Sequence, residues 1–114
     1  MLLKDGKVRL ALGAPGGTTI TMGVLQGILN VVDFNMSAQQ SVSAPRICVT
    51  SNKIEISNRI FRSVERELCD MGYSTYRNPA SFINPRVHAI RINEGNLDGG
   101  ADPIGDGMSG EVEF

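Results

Sequence analysis

The run Gly13-Ala14-Pro15-Gly16-Gly17-Thr18-Thr19-Ile20 constrains this chain more than any other stretch, because it must end one apolar strand and open a long apolar helix within a few residues. Two consecutive glycines let the backbone turn sharply with no Cβ in the way, so that neighbouring N–H groups can point together at one oxygen. The helix behind them adds its unpaired first-turn N–H groups and the positive end of its dipole. Such a loop suits an anion, or an oxygen that becomes anionic; the plain alternative is a tight strand-to-helix turn without ligand. The spacing fits neither Gly-x-Gly-x-x-Gly nor Gly-x-x-x-x-Gly-Lys, so neither a dinucleotide nor a P-loop mechanism is supported.

Around the loop the elements are short and alternate in type. Val8, Leu10 and Leu12 fall on one side of a strand that follows Lys4-Asp5-Gly6-Lys7, and Asp-Gly between strands signals a hairpin with Leu2–Leu3 as the partner stub. A first helix is expected from about Thr18 to Phe34, with apolar residues over most of its circumference, which predicts burial on nearly every side. Gly23 and Gly27 inside it point to close packing against another backbone. Ser37 and Gln40 form a Ser-x-x-Gln capping box for a brief second helix, and Pro45 forces an extended exit. A strand is expected at Lys53–Ile56 and a surface helix from Asn58 to Met71, stopping at Gly72. An extended segment at Tyr73–Arg77 precedes the turn signals Asn78-Pro79 and Asn84-Pro85, and a strand at Val87–Asn93 puts His88, Ile90 and Ile92 on one face. By that pattern His88, the single histidine, reads as a core residue. Leu97–Ala101 is too glycine-rich for a strong strand alone, and the stretch that holds Asp98, Asp102 and Asp106 among its glycines reads as a solvated glycine-rich tail.

Composition narrows the function classes. At 41% apolar and 20% charged over 114 residues, the chain belongs with globular proteins and can bury one core, in a single unit of residues 1–114. A formal net charge of -1 gives no footprint for nucleic acid. The longest apolar stretch, Met22–Phe34, is broken by polar residues and glycines and falls short of the ~20 residues that span a bilayer. Residues 1–20 lack the charged, apolar and small-residue pattern of a signal peptide. Cys48 and Cys69 have no metal-ligand spacing and read as two buried reduced thiols. Asp98, Asp102 and Asp106 do not match a calcium-loop pattern, so no metal and no cofactor is expected.

Leu10 to Gly17, then Val24-Leu25-Gln26-Gly27-Ile28-Leu29-Asn30-Val31-Val32-Asp33-Phe34, then Ala44-Pro45-Arg46 resemble the C-terminal portion of the small subunit of the gamma-glutamyltranspeptidase family. The likeness runs in order along nearly the whole chain, through Gly100-Ala101-Asp102-Pro103 and Asp106-Gly107, and departs at Ile104, where the family usually has arginine, and at the final Phe114. It implies an α/β (α+β) fold: part of the αββα sandwich of N-terminal-nucleophile hydrolases, lacking the strands that carry the nucleophile. It further implies that Gly16 and Gly17 supply oxyanion-hole N–H groups, with Pro15 and Arg46 in support. For Arg46 two readings stand, an ion pair that orients the glycine loop or a surface arginine.

The family's nucleophile is a threonine freed by self-cleavage, and this chain has no counterpart of it; Thr18 and Thr19 follow the glycines and cannot present a free α-amine as base. The resemblance therefore implies a partner, a nucleophile-bearing chain, and as substrate a γ-glutamyl compound such as glutathione. Alternative readings are a non-catalytic module binding a small anion at the helix N-terminus, and an assembly module. An uncovered sheet edge and helix face lead to the expectation of a homodimer.

Overall fold

In the computed structural model, residues 1–112 are described; Phe114 lies outside them. Two sheets share the chain. The first, ordered β1-β2-β6-β7, joins β1 (Leu2–Lys4), β2 (Lys7–Gly13), β6 (His88–Asn93) and β7 (Asn96–Gly100), all antiparallel. The second, ordered β3-β4-β5, joins β3 (Ile47–Cys48), β4 (Ile54–Ile56) and β5 (Thr75–Arg77), with β4 and β5 parallel. Asp5 and Gly6 both take positive φ, as the two-residue turn between β1 and β2 requires. This mixed α/β architecture agrees with the fold class expected from the sequence.

Alternation along β2 and β6 decides which face is core. Leu10, Val87 and Ala89 are buried beneath α1 (Ile20–Val32) and α2 (Ala38–Ser43), where they meet Ala38 and Val42. Leu10, Val42 and Val87, each fully buried, contribute about 1.5–3 kcal/mol apiece. His88 and Ile90 therefore lie on the opposite face and are exposed, which overturns the expectation of a core histidine. The period of two was right, but the inward parity belongs to Val87 and Ala89.

The first helix also differs. A 3-10 turn at Gly17–Thr19 precedes α1, and only Gly23 and Gly27 are fully buried in it. Leu25, Leu29 and Val32 are 46%, 40% and 54% exposed, so a helix apolar on nearly every side is covered on one side only. The two glycines do mark close packing, against side chains rather than backbone. A methyl at Gly23 would lie 2.6 Å from Pro85 Cδ and 3.1 Å from Val87 Cγ2, and one at Gly27 3.1 Å from Leu12 Cδ1.

Capping of α2 follows the sequence: Ser37 Oγ accepts from Gln40 N–H at 3.1 Å, and Gln40 Oε1 accepts from Ser37 N–H at 2.9 Å. The glycine-rich tail does not remain solvated throughout. Leu97–Gly100 complete β7, and a Cβ at Gly100 would lie 2.5–2.6 Å from the backbone of Ala38 and Gln39, so its absence is what lets α2 lie directly on the strand. Asp98 Oδ2 accepts from Ala38 N–H at 2.8 Å, while the Gln39 amide exchanges two hydrogen bonds with Ala101.

The second sheet is tied to α1 by Gln26. Its Nε2 donates to Ile47 O at 2.8 Å and its Oε1 accepts from Ile47 N–H at 2.9 Å, so a side-chain amide pairs with β3 as a strand would. α3 (Arg62–Asp70) starts four residues later than the sequence suggests, because Asn58–Phe61 form a turn closed by Ile60 N–H on Ser57 O. The thiols separate: Cys48 is buried, with its pKa pushed up first by burial and then by Glu55, whereas Cys69 is exposed, contrary to the expectation of two buried thiols.

Between α3 and β5, Arg77 Nε donates to Glu65 Oε2 at 2.7 Å and Thr75 Oγ1 donates to Oε1 at 3.3 Å. The Arg77 hydrogen bond is the main cause that holds the Glu65 carboxyl below its ordinary value; burial opposes it. A depressed carboxyl stabilises the fold fully above its unfolded pKa, about 4.3, and that contribution is lost as pH falls through the lower folded value. Thermal melts of wild type and Glu65→Gln should then differ by a constant amount from pH 7 to about pH 5 and converge in acid. A gap that did not narrow below pH 4 would remove the linkage.

Candidate functional site

The glycine loop has the conformation that its composition suggested. Gly16 has φ 150 and Gly17 φ 59, both values that an L side chain rarely adopts. Thr19 engages the Gly16 carbonyl twice, through its N–H at 3.2 Å and its Oγ1 at 2.7 Å. That occupies the hydroxyl of Thr19, while the N–H groups of Gly16 and Gly17 donate to no acceptor among the described residues. Pro15 lies exposed before the pair, and Thr18 is exposed after it. The loop thus presents two neighbouring free donors at the mouth of a helix.

Beneath the loop sits Pro85. A Cβ at Gly16 would stand 2.7 Å from Pro85 Cβ, and the same ring fills the space left by Gly23, so Pro85 is wedged between the glycine loop and α1. The backbone on either side of Pro85 is held by the pair that Arg46 makes with Asp102. Arg46 is 5% and Asp102 0% exposed in their side chains. The guanidinium donates from Nη1 to Pro85 O and, at 3.5 Å, to Ile83 O; from Nη2 it donates to Val42 O at 2.7 Å and to Asp102 Oδ2. Asp102 completes the frame by accepting from Val87 N–H at 2.8 Å and Ile104 N–H at 3.0 Å.

Of the two readings of Arg46, the surface arginine is therefore corrected: Arg46 is buried and ion-paired. Sequence reasoning missed Asp102, which it assigned to a solvated tail, and Pro85, which it read as a turn signal. The available clue was that Ala44-Pro45-Arg46 and Gly100-Ala101-Asp102-Pro103 both belong to the resemblance, which sets an arginine and a carboxylate in matched blocks. A second guanidinium lies close by: Arg59 stacks on Phe82 at 4.1 Å and donates to Ser81 O at 2.9 Å, and its pKa is lowered first by burial and then by the charge of Arg46.

Other groups do not join the loop. His88 lies against Gly107 on the far side of the first sheet and lines a cleft of about 850 Å³ together with Ile90, Leu97, Met108, Ser109, Glu111 and Val112. Neither Gly16 nor Gly17 lines that cleft, and the loop, with its free donors and its family-matched sequence, is the better site candidate. Among the described residues no His, Cys, Asp and Glu group is arranged to hold a metal ion, and no helix is long and apolar enough to cross a membrane.

The family model for gamma-glutamyltranspeptidase matches residues 1–112. The chain belongs to that family. Acylase ACY 1 proenzyme of Pseudomonas sp. (strain SE83) is 35% identical over 102 residues, which cover 89% of this chain and 18% of that protein. Glutathione hydrolase proenzyme of Bacillus subtilis (strain 168) is 32% identical over 110 residues, or 96% of this chain and 19% of that protein. Among solved structures, gamma-glutamyltranspeptidase from Pseudomonas nitroreducens complexed with L-DON superposes with a TM-score of 0.82 at 30% identity, over 98% of this chain and 60% of that one. This gamma-glutamyltranspeptidase-family chain thus spans about a fifth of the length of the two proenzymes.

The buried pair is the part of the site whose energetics can be weighed. Removing one member strands the other in a dry environment, at a cost of about 3–5 kcal/mol, whereas replacing both by apolar residues of similar volume is far milder. Asp102→Ala should accordingly lower unfolding free energy in urea by several kcal/mol, and Arg46→Met/Asp102→Leu by less than the sum of the two single changes. Additive losses would show that the two groups do not act as a pair.

Proposed function

We propose that residues 1–114 form a single C-terminal segment of a gamma-glutamyltranspeptidase-like domain, part of an αββα sandwich, and supply the oxyanion-hole glycines but not the nucleophile. The observation that carries this reading is the pair of free N–H groups at Gly16 and Gly17, in a family-matched loop at the start of α1. The reaction is attack on a γ-glutamyl amide, as in glutathione, followed by transfer or hydrolysis of the γ-glutamyl group. As the carbonyl carbon becomes tetrahedral, its oxygen gains charge, and donors that are already in place stabilise that charge without reorganising. Arg46 supports the loop from below, and Pro15 sets the entry of the chain into it.

No group in the loop is suited to attack. Thr19 Oγ1 is committed to Gly16 O, and neither threonine has a base beside it, so the nucleophile comes from a segment outside these 114 residues. The chain is inactive by itself on this reading. Relatives at similar identity carry the names acylase and glutathione hydrolase, and both names fit one reaction class, acyl transfer from an amide through an anionic tetrahedral intermediate.

Release of chromophore from a γ-glutamyl anilide is the direct test. The purified chain should be silent, and activity should appear on adding a nucleophile-bearing segment from a homologue. Gly16→Ala, which pushes a methyl toward Pro85 and Thr19, should then lower kcat by about 10²-fold, the effect of losing one oxyanion donor. Silence in the mixture, with both chains folded, would favour a non-catalytic anion-binding module instead.

A homodimer is the assembly we infer for the chain on its own. Leu25, Leu29 and Val32 form an uncovered stripe on α1, and an isologous contact would bury that stripe twice. Sedimentation equilibrium should give twice the chain mass of 12.3 kDa, and Leu25→Glu/Leu29→Glu should return the monomer. A wild-type monomer at all concentrations would dispose of this assembly.

A further inference from the structure

Three features outside the loop compete for a role. The cleft beside His88 mixes apolar residues with His88, Ser109 and Glu111, and nothing in the structure identifies an occupant for it, or for the stripe on α1 beyond the dimer already inferred. The third, the route from Asp102 to the glycine loop, is continuous in contacts. Asp102 fixes the Arg46 guanidinium and the Val87 N–H; Arg46 fixes the Pro85 carbonyl; and the Pro85 ring abuts Gly16 and Gly23.

We propose that Asp102 is a positioning residue for the Gly16–Gly17 loop, acting through Arg46 and Pro85. It touches neither glycine and needs no contact with substrate. Its two oxygens accept from three donors, two of which, the Arg46 guanidinium and the Val87 N–H, tie it to residues 83–87 and make of them a shelf. Gly16 rests on that shelf by the face where any side chain would collide. The loop is otherwise exposed and tied down by the two Thr19 bonds to the Gly16 carbonyl and by Ile20 N–H on the Gly17 carbonyl, so without the shelf only these local bonds within the turn restrain its two N–H groups. The consequence for catalysis rests on the reading of this loop as an oxyanion site; the mechanical coupling does not.

The position of Arg46 explains why a guanidinium is needed. Four acceptors surround it, on α2, on both sides of the 83–85 backbone and on Asp102, and they are reached by a planar fork. A lysine keeps the charge but not the fork, so Arg46→Lys separates charge pairing from positioning.

Amide spectra of the ¹⁵N-labelled full chain test the coupling directly. Asp102→Asn and Arg46→Lys should each move the Gly16 and Gly17 resonances while those of the β1–β2 hairpin and of β4 stay in place. Pro85→Gly, which keeps the carbonyl but removes the Cβ that faces Gly16 together with the ring, should move them too, and Asp102→Asn added to Pro85→Gly should move them little further. Unmoved glycine resonances in a folded Arg46→Lys would overturn the proposal, as would an undiminished Asp102→Asn effect in the Pro85→Gly background. Should Asp102→Asn not fold, Arg46→Lys decides alone. With the nucleophile-bearing segment added, Arg46→Lys should lower kcat about 10-fold with KM unchanged, since the donors act on the transition state; a change in KM alone would count against positioning. Absence of activity in the wild-type mixture would sink the oxyanion reading, and the amide shifts would still decide the coupling.

Discussion

A guanidinium and a carboxylate withdrawn from water together hold this fold at its least forgiving point. Arg46 and Asp102 are 56 positions apart, yet between them they bind the end of α2, the backbone from Ile83 to Val87 and the start of the C-terminal tail. Such a pair adds little net stability compared with a well-packed apolar substitute, because the Coulomb gain is offset by desolvation. What it supplies is direction. A buried fork with four acceptors tolerates only one arrangement of the segments that carry them, whereas the small core of Leu10, Ala38, Val42, Val87 and Ala89 would accept several.

Legibility in the sequence followed the range of the interaction. The hairpin at Asp5-Gly6, the capping box at Ser37 and Gln40 and the strand-to-helix loop at Gly16-Gly17 are decided within a few residues, and each is where its local chemistry put it. The core parity of β6 is not local: a period of two fixes which residues share a face but not which face turns inward, and Val87 and Ala89 win because α1 and α2 cover their side. Asp102 is a similar case. Its neighbours are glycines, alanine and proline, so the local pattern reads as a tail, and only the partner at position 46 makes it core. The glycines of β7 looked unfavourable for a strand, but Gly100 is required there by the backbone of α2 lying on it.

Helix α1 illustrates how a family context and a local reading combine. Its sequence is apolar on nearly all sides, yet the described residues cover only the face of Gly23 and Gly27. The chain spans about a fifth of the proenzymes it matches and 60% of a solved relative, so the surplus apolar surface is consistent with elements that those longer proteins contain. Leu25, Leu29 and Val32 are exposed among the described residues, and apolar periodicity alone does not say what covers each side of a helix.

The order in which the ion pair's members occur along the chain also sets a clock on synthesis. Arg46 leaves the ribosome with α1 and α2, but its carboxylate follows 56 residues later, about 3–11 s at ordinary elongation rates. Throughout that interval the nascent helices cannot close over the guanidinium without stranding its charge. Pairing of the guanidinium is thus open to this chain only after residue 102 has been made, and the buried pair belongs to the last part of the fold to close.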